Sequence, residues 1–128
     1  MVGMKHCNNH KKLNRTSEHR KALMVNLVRA LTLSGSIETT LPKAKFLRPF
    51  IEKLVTKARR VSGDLARYRE MVSLVRDPVI AKKLCEDIAP RFLARPGGYT
   101  RIVRVGNRFG DMAPMAVVQW VDYKKGNA

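Results

Sequence analysis

Apolar residues recur at helical spacing through most of the chain and at strand-like density near its end. Residues 1–16 show no such period and carry Lys5, Lys11, Lys12 and Arg15, so they read as an extended basic arm. Leu23, Leu27 and Leu31 then recur every fourth residue, with Met24 and Val28 beside them. This predicts an amphipathic helix capped by Thr16 or Ser17 and ended by Ser34-Gly35. Residues 37–40 are β-favouring and short. Pro42 then suits the first turn of a second helix, where its missing N–H is not needed. Leu47, Ile51, Leu54, Val55 and Ala58 form the apolar stripe of that helix. Pro49 lies inside the stripe's span. It has no N–H for the carbonyl of Lys45 and its ring crowds that turn, so a kink or local break is expected.

Residues 61–63 read as a connector, followed by a helix over about 64–74. Asp77-Pro78 opens another helix, with Asp as cap and Pro in the first turn. Its expected core residues are Ile80, Leu84 and Ile88, and Pro90 with Pro96-Gly97-Gly98 closes the helical region. Two stretches rich in β-branched residues follow, 99–105 and 115–121. Turn formers fill 106–114 between them, which predicts a β-hairpin with a long basic-tipped loop. In the first strand Tyr99, Arg101, Val103 and Val105 share one face, and Thr100, Ile102 and Arg104 share the other. Spacing alone leaves open which face is buried.

The length of 128 residues favours one domain, and 45% hydrophobic residues suffice for a packed core. Charge changes the picture more. There are 26 Lys+Arg against 10 Asp+Glu, a formal net charge of +16. Residues 1–60 carry 14 cations and 3 acids, residues 61–90 carry 5 and 5, and residues 91–128 carry 7 and 2. Two basic regions therefore flank a neutral middle, a distribution that suits a polyanion on one side of a folded unit. No run approaches the roughly 18 uncharged apolar residues of a membrane span. The N-terminus lacks the apolar segment and cleavage site of a secretory signal. Two distant cysteines, Cys7 and Cys85, make no disulfide framework.

Candidate chemistry is sparse. His6, Cys7, His10 and His19 cluster near the arm, but no second Cys/His pair completes a zinc pattern, so no metal site is expected. A Cys7–His pair would lie in the segment least suited to holding catalytic groups rigid, and no nucleophile or phosphate-loop motif is present. No catalytic residue and no cofactor are expected. RNA binding fares better, because phosphates need many cations and each contact releases counterions. The candidates are Lys5, His6, Lys11, Lys12, Asn14, Arg15, His19 and Arg20 in and behind the arm. Lys43, Lys45 and Arg48 open the second helix, where free N–H groups already favour anions. Arg101, Arg104 and Arg108 lie on the hairpin. Tyr99 and Phe109 are the aromatics that could stack on bases, although Phe109, in a loop, could equally anchor that loop.

Three separated motifs make the reading specific. They are Lys12-Leu13-Asn14-Arg15 with His19-Arg20; Ile37-Glu38-Thr39-Thr40-Leu41-Pro42-Lys43-Ala44-Lys45 with Leu47-Arg48; and Gly97-Gly98-Tyr99-Thr100-Arg101-Ile102 with Arg108, Gly110-Asp111 and Ala113-Pro114-Met115-Ala116. In this order they closely resemble the signature of the bacterial-type large-subunit ribosomal protein L17 family. The resemblance implies an α+β fold: a helical body of about four helices packed on a small, about three-stranded β-sheet with a C-terminal hairpin, plus the basic arm. The expected organisation is an arm over 1–16, a single domain over 17–123 and a mobile tail over 124–128. The resemblance further implies a structural, non-enzymatic constituent of the large ribosomal subunit, bound to its ribosomal RNA near the exit of the nascent-peptide tunnel. Its partners would be that RNA and neighbouring large-subunit ribosomal proteins, with no membrane and no small-molecule substrate. Its place would be the bacterial cytoplasm, in the ribosome, ahead of an organellar ribosome. Asn8 and His10 depart from the family's usual Lys and Gly, and Pro49 from its usual basic residue. The rival readings are a free-standing nucleic-acid-binding regulator and a small thiol or metal enzyme.

Overall fold

Local sequence signals set most of the element ends. In the computed structural model, which describes residues 17–61 and 64–123, the first helix α1 runs Ser17–Ser34. The arm candidates Lys5, His6, Lys11, Lys12, Asn14 and Arg15 lie outside the described residues, as do Thr16 and the 124–128 tail. Gly35 ends α1 in the left-handed conformation, φ 81°, and donates its N–H to the Leu31 carbonyl at 2.8 Å. A Cβ at Gly35 would also come within 2.8 Å of the Tyr123 ring, so no larger residue fits that close approach.

Strand β1 (Ser36–Thr40) leads directly into α2 (Leu41–Ala58). Helix α3 (Leu65–Val75) is capped by Asp64, whose carboxylate accepts the Arg67 N–H, and α4 (Pro78–Lys83) by Asp77, which accepts the Val79 N–H. Asp77 does what the sequence predicts of it, whereas Asp64, expected as the first residue of its helix, is the cap instead. The chain then widens into a π-helical turn, Leu84–Ile88, where the Ala89 N–H reaches back to the Leu84 carbonyl, before a last turn α5 (Ala89–Arg91). Pro90 has no N–H for an α-helical bond to Glu86, and the wider turn lies immediately before it. The turn also rotates the helix so that Ala89 and Phe92 join Ile80, Leu84 and Ile88 in the core.

Strands β2 (Thr100–Asn107) and β3 (Pro114–Trp120) form the hairpin, and the antiparallel sheet has the order β1-β3-β2. Four helical segments, with α4, the π-helical turn and α5 running on as one, pack on this three-stranded sheet, giving the α+β architecture the sequence implied. At the loop end the strands run further than the 99–105 and 115–121 stretches suggested, so the connecting loop is shorter, while each stops one residue short at the other end. Ala116, Val118 and Trp120 of β3 point inward, and their partners Arg104, Ile102 and Thr100 share that face. The inner face of β2 is therefore the Thr100–Ile102–Arg104 one. Alternation fails beyond it because the register jumps between Arg104 and Gly106, leaving Val105 as a bulge. Gly106 takes φ 104° there, a value that suits glycine alone.

One contiguous core joins the layers. Leu47, Ile51, Leu54, Val55 and Ala58 of α2 are all buried, as predicted. On α1 the buried stripe is Met24, Val28 and Leu31, whereas Leu23 and Leu27 are half-buried at its edge. The predicted stripe was thus centred one residue off, because spacings of four and three track a 3.6-residue turn better than strict fours. Phe92 packs between Tyr99 and Trp120, with ring centroids 5.4 and 6.0 Å away. Helix α2 continues through Pro49 without the break considered above. Pro49 is exposed, so water can reach the Lys45 carbonyl that lacks a helical donor.

Candidate nucleic-acid interface

The first turn of α2 combines two sources of positive potential. Its N–H groups are free of a side-chain cap from Thr40, and no acidic residue stands in that turn. Lys43 and Lys45 do, with Arg48 one turn on. Lys43 is half-buried, and Lys45 and Arg48 are exposed. Among the described residues none of the three is ion-paired, whereas Arg29, Lys57, Arg67, Arg91 and Arg108 each hold an acid.

Strand register brings the hairpin to the same place. Thr40 pairs with Met115, which pairs with Gly106, and Thr39 pairs with Ala116, which pairs with Arg104. The start of α2 and the protruding end of the hairpin therefore occupy one end of the sheet. Two strand spacings put Arg104 roughly 10 Å from Thr39. Arg104 belongs to the inner face but is exposed. It too has no ion pair among the described residues. Arg101 lies toward the opposite end of the hairpin, on the outer face. With the Gln119 carboxamide oxygen turned toward it, its Nε and Nη2 donate at 2.6 and 2.9 Å. His19 and Arg20 sit on the first turn of α1.

The hairpin tip is built by its own side chains. The Arg108 N–H donates to the Ala113 carbonyl at 2.7 Å, and the Met112 N–H to the Arg108 carbonyl at 2.9 Å. The Asp111 carboxylate accepts from Arg108 Nε at 3.1 Å, from Arg108 Nη2 at 2.6 Å and from the Ala113 N–H at 3.1 Å. Arg108 is thus held by Asp111, unlike Arg104. The Arg108 hydrogen bond, then the Ala113 N–H, hold the Asp111 carboxyl down from the usual 3.8 to about 2. A depressed carboxylate pKa stabilises the closed tip at pH above the unfolded value, and that contribution disappears as pH falls through the folded one. The tip should therefore stay closed at pH 4 and open as pH falls from about 4 through about 2. NMR titration of the Asp111 carboxyl carbon would show this. In an Arg108→Gln variant the midpoint should move back up toward 3.8.

The sequence profile of the ribosomal protein L17 family matches residues 23–121, a span holding both the α2 start and the hairpin. The chain belongs to this family. It is 53% identical over 119 residues to the large ribosomal subunit protein bL17 of Azorhizobium caulinodans, covering 93% of this chain and 84% of the relative. The proteins of the same name from Rhodopseudomonas palustris (strain BisB5) and Dinoroseobacter shibae are 51% and 48% identical over the same length, covering 86% and 85% of those relatives. Ribosomal protein L17 is a structural protein and not an enzyme.

Within this L17-family fold, one polar cluster was not foreseen. Glu52, Thr56 and Arg59 stand at i, i+4 and i+7 on α2, a polar stripe beside the apolar one. The Glu52 carboxylate accepts the N–H groups of Tyr99 and Thr100 at 3.0 and 3.1 Å and the Thr100 hydroxyl at 2.9 Å. Arg59 donates to the Tyr99 hydroxyl and to the carbonyls of Arg95 and Leu93, each at 2.8 Å. Thr56 lies 3.2 Å from the Tyr99 hydroxyl. This latch fixes the Gly97-Gly98-Tyr99-Thr100 turn to α2 and so aims the hairpin. It also corrects the view of Tyr99 as a base-stacking aromatic. Tyr99 is fully buried with its hydroxyl bonded, whereas Phe109 is fully exposed. The signal in the sequence was the spacing of Glu52, Thr56 and Arg59, which resembles a solvated face until the turn packs on it.

Other chemistry finds little support among the described residues. No three His, Cys, Asp or Glu side chains come together to hold a metal, and His6, Cys7 and His10 lie outside that set. Burial, and then the charge of Glu86, push the Cys85 thiol up, which disfavours the thiolate a nucleophile needs. No described helix is long and apolar enough to cross a membrane.

Proposed function

We propose that this L17-family chain is a structural constituent of the large ribosomal subunit that holds ribosomal RNA by neutralising phosphates. The observation that carries the reading is the convergence, at one end of the sheet, of Lys43, Lys45 and Arg104 with no acidic partner among the described residues. Their charges are left for an anion from outside the fold. Arg48 extends this surface along α2, and Arg101 and Arg108 contribute from the hairpin while held in place by Gln119 and Asp111. His19, Arg20 and the arm residues Lys5, His6, Lys11, Lys12, Asn14 and Arg15 supply a second set of contacts, the arm threading into RNA as an extended segment. The 17–123 region acts as one folded domain. The names of the relatives, large-subunit ribosomal proteins of bacteria, support a bacterial, cytoplasmic ribosome as its location and neighbouring ribosomal proteins as its protein partners. The tunnel exit as the place of those contacts rests on the motif resemblance alone.

Co-sedimentation separates this from a free-standing regulator. The chain should travel with large subunits at one copy per particle and stay bound at moderate salt. Substoichiometric recovery, mostly in free fractions, would sink the proposal.

A further inference from the structure

We infer that Phe109 is a stacking platform for an unpaired RNA base, with Arg104 on the same hairpin to take a nearby phosphate. This rests on the RNA-binding reading above and names what part of the RNA the hairpin recognises. The ring is completely exposed at the apex of a turn, a costly place for a large apolar side chain. It has not folded back onto the body, although Val103, Val105 and Met112 nearby are also exposed. Nor does it anchor the loop, since that work falls to Asp111 and the backbone bonds of Arg108 and Met112. The tip is therefore closed by polar contacts that leave the ring presented outward in advance of binding, which lowers the entropy lost when a partner docks.

The surrounding charge identifies the partner. Arg101, Arg104 and Arg108 lie on the hairpin, and its one acid, Asp111, is already held by Arg108. A cationic finger ending in a flat aromatic matches a polyanion with exposed π-faces. That is single-stranded or looped RNA, since bases within a duplex have no free face. A purely apolar protein pocket would be a poor match, because burying the hairpin there as far as Arg104 would desolvate that cation without a counter-charge.

The test uses the full chain with two probes, a short oligouridylate and an RNA duplex of equal length. Phe109→Leu keeps apolar bulk but removes the ring, and full exposure at the site lets the variant fold. It should lose about ten-fold in affinity for oligouridylate, in the range of one stacked base. Its duplex affinity and salt slope should be unchanged. Phe109→Trp should retain affinity, and its indole fluorescence should be quenched on binding above the wild-type background from buried Trp120. Equal affinity of Phe109→Leu for oligouridylate, or an equal loss on both probes, would overturn the stacking role. If the wild-type salt slope stayed steep in that case, the phosphate reading would survive. A flat salt slope with a selective Phe109→Leu loss would reject the phosphate mechanism and leave stacking standing. Reduced incorporation into subunits with unchanged binding to both RNAs would assign the ring to a protein pocket instead and overturn the inference.

Discussion

Replacing Glu52 by alanine should destabilise the protein by about 3–5 kcal/mol, a large share of the roughly 5–15 kcal/mol that holds a domain of this size folded. The carboxylate accepts three hydrogen bonds, two of them from the backbone N–H groups of Tyr99 and Thr100. Both residues are buried, at 0% and 2% exposure, so water cannot readily replace the lost acceptor. Each stranded donor costs about 1–3 kcal/mol, and partial opening of the turn keeps the total below the simple sum. Urea unfolding measures the loss. Amide exchange at Tyr99 and Thr100 should accelerate first, because the turn opens before the core. Glu52→Gln should fall between, since its amide retains one acceptor but turns N–H groups toward donors. A loss under about 1 kcal/mol would mean that the Glu52 bonds do not hold the turn.

The second large effect is on RNA. Changing Lys43, Lys45 and Arg48 together to glutamine should weaken RNA binding by about two orders of magnitude at 0.1 M salt. It should also reduce the slope of log K against log salt by about 2–3. Stability should hardly change, because none of the three has an ion pair among the described residues and two are exposed. The matched control is Arg76, Lys82 and Lys83 changed to glutamine in the neutral middle. That variant removes the same charge but should cost far less affinity. Equal losses in both variants would mean that net charge matters and position does not.

Those two predictions separate what the sequence makes legible from what it conceals. Helix α2 was readable because its stripe from Leu47 to Ala58 obeys one period over about three turns and Pro42 marks its start. Asp77 was readable as a cap because the N–H it accepts, that of Val79, lies only two residues away. The π-helical turn at Leu84–Ile88 was not, because its widening keeps apolar residues at spacings that an ordinary helix also allows. The inner face of β2 stayed open because the Val105 bulge breaks the alternation that would have decided it. On the candidate site, the cation clusters were visible as a composition of segments. Which cation is spoken for was not. Arg59 and Arg104 look alike in the sequence, yet one bonds two backbone carbonyls and a buried tyrosine while the other faces solvent. That difference arises from contacts between residues some 40 positions apart. It is the same reason Tyr99, not Phe109, is the buried aromatic.

The most direct test of the central claim is the affinity of the full chain for large-subunit ribosomal RNA, measured across a salt series. Phosphate neutralisation by several unpaired cations predicts a linear, steeply negative dependence of log K on log salt, with a slope equivalent to several phosphate contacts. A slope near zero, with affinity retained at high salt, would contradict the account.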